Sequence, residues 1–252
     1  MKSRYRFLDT LRGLNLLSMI AYHAFYNLNY MYGHPMKWYR STPGYIWQQA
    51  ICQVFIFLSG FCLTLGRTDP KHQFLRGLRL SACGLIITLV TALVMPQSII
   101  IMGVLSFFGL AVLITAVFHP LLRKIPPSIG LTLSILFFLL TREINSGCLG
   151  FESIRLLQLP DFLYQGKLMM ILGFPYAGFY SSDYFSVFPW IFLFWSGMYF
   201  WQLLERKNKI PVTFLRSHGI RPLEWIGRHT LPIYMLHQPI LVALFTVFER
   251  FL

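Results

Sequence analysis

"SMIAYHAFYNLNYMYGH", Ser18 to His34, is the stretch on which the reading of this chain turns. It is apolar enough for lipid, yet it carries His23, Asn27 and His34, and a polar side chain in a bilayer needs a partner or a purpose. The rest of the chain has the same character. Of 252 residues, 56% are hydrophobic, 17% aromatic and only 12% charged, a composition that excludes an ordinary soluble domain. Apolar runs long enough to cross roughly 30 Å of hydrocarbon as helix recur at Leu8–Tyr30, Tyr45–Leu65, Leu75–Met95, Ile99–Phe118, Val187–Leu204 and Thr230–Phe248, with a shorter one at Pro127–Leu140. The expected fold is therefore all-α: a polytopic transmembrane helical bundle of about seven spans, forming a single domain over residues 1–252. Lys167–Phe179, broken by Gly173, Pro175 and Gly178, reads either as a re-entrant or interfacial segment or as an eighth span.

The first run is preceded by Lys2, Arg4 and Arg6 but carries Asp9, Arg12 and His23 and lacks a small-residue cleavage site, so it reads as a retained helix and not a signal peptide. Cys52, Cys62, Cys83 and Cys148 form no C-x-x-C pair and suggest neither a disulfide framework nor a metal site. The net charge of +13 is explained by topology without any nucleic acid partner. With seven spans, one side collects Lys2, Arg4, Arg6, Arg12, Arg67, Lys71, Arg76, Arg79, Arg123, Lys124, Arg206, Lys207, Lys209, Arg216, Arg221 and Arg228. The other side holds Lys37, Arg40, Arg142, Arg155, Lys167 and Arg250. The positive-inside rule then puts the N-terminus in the cytoplasm and the C-terminus, Leu252, outside.

Helical geometry groups the polar residues of the first run. At about 100° per residue, Arg12 lies within about 20° of His23 and Asp9 within about 40°, with Asn27 and Tyr30 following at four and seven steps. These five residues form one stripe, which is expected to line an internal cavity, with His23 roughly 22 Å above Leu8 and so in the outer half of the bilayer. His34 would join the same face if the helix continued past Gly33, although Gly33 and Pro35 argue against that. A second cluster is "LEWIGRHTLPIYMLHQP", Leu223 to Pro239. Here Gly227, Arg228, His229 and Thr230 are expected to open the last helix. Thr230, Tyr234 and His237 share a face, and Pro239 is expected to kink the helix beside His237. For His23 and His237 a structural interhelical hydrogen bond stands as the alternative to a site role. In "YSSDYFSVFPW", Asp183 suits either a helix cap or a site. In "FLRGLRL", Arg76 and Arg79 suit either a topological anchor or a phosphate ligand. G-x-S-x-G, H-E-x-x-H, P-loop and G-x-G-x-x-G motifs are all missing.

Seven stretches in order, "RFLDTLRG", "AYHAFYNLNY", "VFIFLSG", "FLRGLRL", "GVLSFFG", "SSDYFSVFPW" and "IGRHTLPIYMLHQPIL", resemble the heparan-α-glucosaminide N-acetyltransferase catalytic-domain family, and most of all its short bacterial members. The resemblance implies a transmembrane acyltransferase of the inner membrane. Such an enzyme takes acetyl from cytosolic acetyl-CoA and delivers it to an acceptor across the membrane, here an envelope sugar hydroxyl or amine. It also implies that His34 stands where the lysosomal enzyme has its catalytic histidine and His23 where that enzyme has an asparagine. Two positions depart from the bacterial pattern: Asn27 replaces an aspartate and Ser106 replaces a histidine common in relatives. On this reading His23 or His34 is the base or nucleophile, and Tyr30, Tyr234 or His237 donates to the oxyanion. Arg12, Arg76, Arg79 and Arg228 bind the CoA phosphates, and Asp183 completes the candidate set. A transporter or channel with a polar intramembrane pathway, or a non-catalytic membrane protein that keeps the fold, would carry the same stripe.

Overall fold

The computed structural model describes residues 5–66, 69–206 and 212–249. Lys2, Arg4, Arg67, Lys207, Lys209, Arg250 and Leu252, used above for topology, lie outside the described residues. Each of the seven apolar runs coincides with a helix: α1 (Arg6–Tyr30), α2 (Thr42–Leu63), α3 (Pro70–Val94), α4 (Val104–Leu122), α5 (Pro127–Leu140), α6 (Val187–Arg206) and, after α7 (Val212–Ser217) and α8 (Arg221–Arg228), α9 (Thr230–Glu249). The fold is thus all-α and membrane-like, and α2, α3, α4, α6 and α9 are each long and apolar enough to cross a bilayer. α1 has the length but carries the polar stripe, and α5 has only 14 residues, about 21 Å of helix.

Two boundaries differ from the hydropathy reading because caps decide them. α3 begins five residues before Leu75, where the Asp69 carboxylate accepts from the His72 amide at 3.1 Å and Pro70 occupies the first turn. α4 begins five residues after Ile99, where the Asp183 carboxylate accepts from the Val104 amide at 3.3 Å. Asp183 therefore caps a helix, but α4 and not the α6 that follows it in sequence. Lys167–Phe179 is not an eighth span. It holds a five-residue 3₁₀ helix, Lys167–Ile171, and then turns at Gly173 and Gly178, both at positive φ. The α5–α6 connection also contains an antiparallel hairpin, β1 (Cys148–Phe151) and β2 (Ile154–Gln158), which hydropathy did not reveal.

The chain divides into two compact units, Met1–Leu58 with Asn208–Leu252, and Ser59–Lys207. In the second, α3 packs on α4, and α5 and α4 pack on α6. The α3–α4 crossing is close because small residues meet there: a Cβ on Gly84 would lie 2.4 Å from the Ser106 hydroxyl. In the first unit, α7, α8 and α9 pack against α1. Contact between α1 and α8 is backbone to backbone. A Cβ on Gly13 would stand 2.1 Å from the Leu223 carbonyl oxygen, and one on Gly227 would stand 1.8 Å from that of Asp9. Residue 13 therefore meets 223 and residue 9 meets 227, so α8 runs antiparallel to α1.

Gly227→Ala should force these helices apart and destabilise the protein by about 1–3 kcal/mol, the usual cost of overpacking. Unfolding in detergent checks this, with Gly66→Ala as a near-neutral control because its nearest neighbour would be 3.8 Å away.

Candidate active site

The first half of the α1 stripe meets α8 in a lattice of charge. Asp9 and Glu224 are both buried. Arg6 grips Glu224 from one side with Nε and Nη2 at 2.9 and 2.8 Å from Oε1. Arg228 grips it from the other, with Nη2 at 2.9 Å from Oε2, and its Nε reaches to 3.7 Å from Asp9. Arg12 lies 3.7 Å from the second Asp9 oxygen. The hydrogen bond from Arg6, aided by the charges of Arg6 and Arg228, outweighs burial and holds the Glu224 carboxyl below its ordinary value of 4.5. Three guanidinium groups thus surround two carboxylates, which leaves net positive charge on this face. Glu224 and Arg6 escaped the sequence reading of the site, although the i,i+4 spacing of Glu224 and Arg228 was a visible signal.

The second half of the stripe meets α9, which starts afresh at Thr230. Gly227 and Arg228 close α8 instead of opening the last helix, and His229 lies at the break. α9 stays helical through Pro239. Its His237 ring packs edge-on against His23, with centroids 4.8 Å apart and planes at 77°. One turn further along α1, Asn27 is fully buried and its Oδ1 accepts from Gln238 Nε2 at 2.8 Å. Where a cavity was expected, α9 closes over the stripe at Asn27.

Both histidines have their tautomers set by backbone carbonyls. His23 Nδ1 lies 3.0 Å from the Met19 oxygen and His237 Nδ1 lies 2.5 Å from that of Tyr234. A carbonyl only accepts, so in each neutral ring Nδ1 carries the proton and Nε2 presents a lone pair. Among the described residues, His237 Nε2, Asn27 Nδ2 and Gln238 Oε1 are buried without a hydrogen-bond partner. Three such atoms on adjoining turns are costly unless something binds them. Gln238 was not singled out from sequence, though it stands beside His237.

The other candidates are placed as follows. Tyr234 packs on the apolar cluster of Leu16, Met19 and Ile51, its ring 5.4 Å from His237. Tyr30 is exposed, with the Arg40 guanidinium 4.9 Å above its ring. α1 ends at Tyr30 and Gly33 adopts a φ of 70°, so His34 leaves the stripe and is exposed in the following loop, its amide bonded to the Leu28 carbonyl. Arg76 and Arg79, on α3, and Asp183 belong to the second unit.

A helical bundle with five helices long and apolar enough to cross a bilayer defines an integral membrane protein. Residues 4–239 match the family model described as "Heparan-alpha-glucosaminide N-acetyltransferase, catalytic", and the chain belongs to that family. Its role is that of a transmembrane acetyltransferase-like protein. No curated protein and no solved structure matches the chain.

A carboxyl held below its ordinary pKa adds stability above that ordinary value, and the gain is lost as pH falls through the folded value. Melting of the detergent-solubilised protein should therefore shift to lower temperature as the buffer is taken below about pH 4.5, Glu224's reference value. Glu224→Gln should melt lower near neutral pH and show a shallower acid dependence.

Proposed function

We propose that this protein moves an acetyl group from cytosolic acetyl-CoA to a hydroxyl or amine of an extracytoplasmic acceptor, a sugar being the natural candidate, with the N-terminus on the cytoplasmic side of a bacterial inner membrane. The observation that carries the proposal is the His23–His237 pair, whose rings pack 4.8 Å apart with both Nε2 lone pairs set by backbone hydrogen bonds. Acyl transfer from a thioester needs such a base. In the proposed step, Nε2 of one histidine takes the proton from the acceptor's O–H or N–H as that atom bonds to the thioester carbon. The C–S bond then breaks and CoA leaves as the thiol once its sulfur takes up a proton.

Tyr234 donates to the developing oxyanion in this proposal, since the only proton of neutral His237 is held by the Tyr234 carbonyl, and Arg12 and Arg228 offer positive charge for the CoA phosphates. Arg76 and Arg79 are proposed as phosphate ligands on their chemistry alone, and Asp183 as a residue supporting the fold of the second unit through its cap. His34 is the rival base that the family resemblance favours, and its exposure is compatible with an acceptor arriving from water. Support for the acetyl donor rests on the family's description and on the surplus of arginine around Asp9 and Glu224.

Purified protein given radiolabelled acetyl-CoA and glucosamine tests this directly. His23→Ala and His237→Ala should each lower label transfer by about 10²-fold or more, the scale of losing a general base, while CoA binding persists. Should His34→Ala alone abolish transfer, His34 is the base and the pair has a positioning role. Parent rates in all three folded variants would refute the site.

A further inference from the structure

The α5–α6 connection carries more exposed apolar side chain than a water-facing loop sustains. Every residue of β2 is exposed, and Leu156 and Leu157, which point to opposite faces of the strand, are 65% and 61% exposed. Phe162 and Leu168 follow at 67% and 77%. A lone two-stranded hairpin is marginal in water, and apolar groups on both its faces would worsen it.

Its height explains the composition. α5 runs antiparallel to α6: Gly130 abuts the ring of Tyr199, and Phe138 lies 5.8 Å from Trp190. The C-terminal end of α5 thus stands beside the first turns of α6, a span of 20 residues. The hairpin is tied to that level. The Glu143 amide donates to the Gly150 carbonyl at 3.3 Å, and Asn145 Nδ2 donates to Gly173 O at 2.9 Å and to Ser186 Oγ at 3.1 Å. It therefore sits where α6 meets the bilayer surface, the one depth at which an open sheet edge can reach water while leucines reach acyl chains.

Beside this apolar surface lies a cleft of about 540 Å³, within the range of small-molecule sites. Arg155, Asp161 and Ser146 line it, together with Leu156, Leu157 and Tyr164. Among the described residues, neither Arg155 nor Asp161 forms an ion pair. A cation and an anion in one cleft oppose a simple anion, which Asp161 would repel. They suit a polyhydroxylated group, whose hydroxyls accept from the guanidinium and donate to the carboxylate.

We infer that this cleft binds the sugar head of a membrane-borne glycolipid whose acyl chains lie against Phe162 and Leu168. The inference rests on the proposed extracytoplasmic sugar acceptor and narrows it to one carried by lipid. It is tested by photo-crosslinking in phosphatidylcholine nanodiscs with a monoglucosyl diacylglycerol bearing a diazirine on its glucose, a readout that needs neither acetyl-CoA nor turnover and so can fail or succeed independently of acyl transfer. The expected result is labelling within residues 145–164, competed by excess unlabelled monoglucosyl diacylglycerol but not by glucose. Labelling should fall about tenfold in folded Arg155→Gln/Asp161→Asn. Absence of label from this segment would overturn the inference. So would equal labelling by a phosphatidylglycerol with a head-group diazirine, which would mean general lipid contact. Equal competition by free glucose would mean a water-borne sugar and would overturn the lipid carrier.

Discussion

Two carboxylates, Asp9 and Glu224, are buried where α1 crosses α8, and the first unit is organised around compensating them. An unpaired buried charge is prohibitive, so Arg6, Arg12 and Arg228 must converge there. That convergence requires the two backbones to touch, which Gly13 and Gly227 permit. With Gly227 set against Asp9, α9 follows from Thr230 and turns Tyr234, His237 and Gln238 toward α1. The charge lattice thus sets the register in which His237 meets His23 and Gln238 meets Asn27. Breaking it would disturb the histidine pair without touching either ring.

Much of this was legible in sequence because a bilayer makes hydropathy nearly sufficient: each of the seven apolar runs became a helix. The stripe on α1 followed from the helical period alone, and Asp9, His23 and Asn27 of its five members meet α8 or α9. Tyr30 and His34 fell outside for a local reason, since α1 stops at Tyr30 and the chain takes a left-handed turn at Gly33. The start of the last helix was expected at Gly227 to Thr230, close to the turn at His229, whereas α8, only eight residues long, gave no apolar run of its own inside the connection that precedes it. Asp183 was recognised as a cap candidate, but its partner, α4, is 79 residues away in sequence, and single-sequence patterns carry no such information. The hairpin was equally silent, its strands being four and five residues long.

The two departures from the bacterial family pattern acquire physical meanings. Asn27, in place of an aspartate, sits fully buried with its amide bonded to Gln238, a neutral pair that needs no counter-ion in a low-dielectric setting. Ser106, in place of a histidine, lies where α4 approaches Gly84 of α3 so closely that a side chain on either helix must be small or turned aside. Neither change removes the histidine pair.

The central claim is that His23 and His237 act as one chemical unit. A double-mutant cycle on acetyl transfer, comparing His23→Ala, His237→Ala and the double variant at equal CoA occupancy, tests it most directly. Residues that act together are strongly non-additive, so the double variant should be no slower than the slower single variant. If the two single losses instead multiply in the double variant, the histidines contribute independently and the paired centre is contradicted.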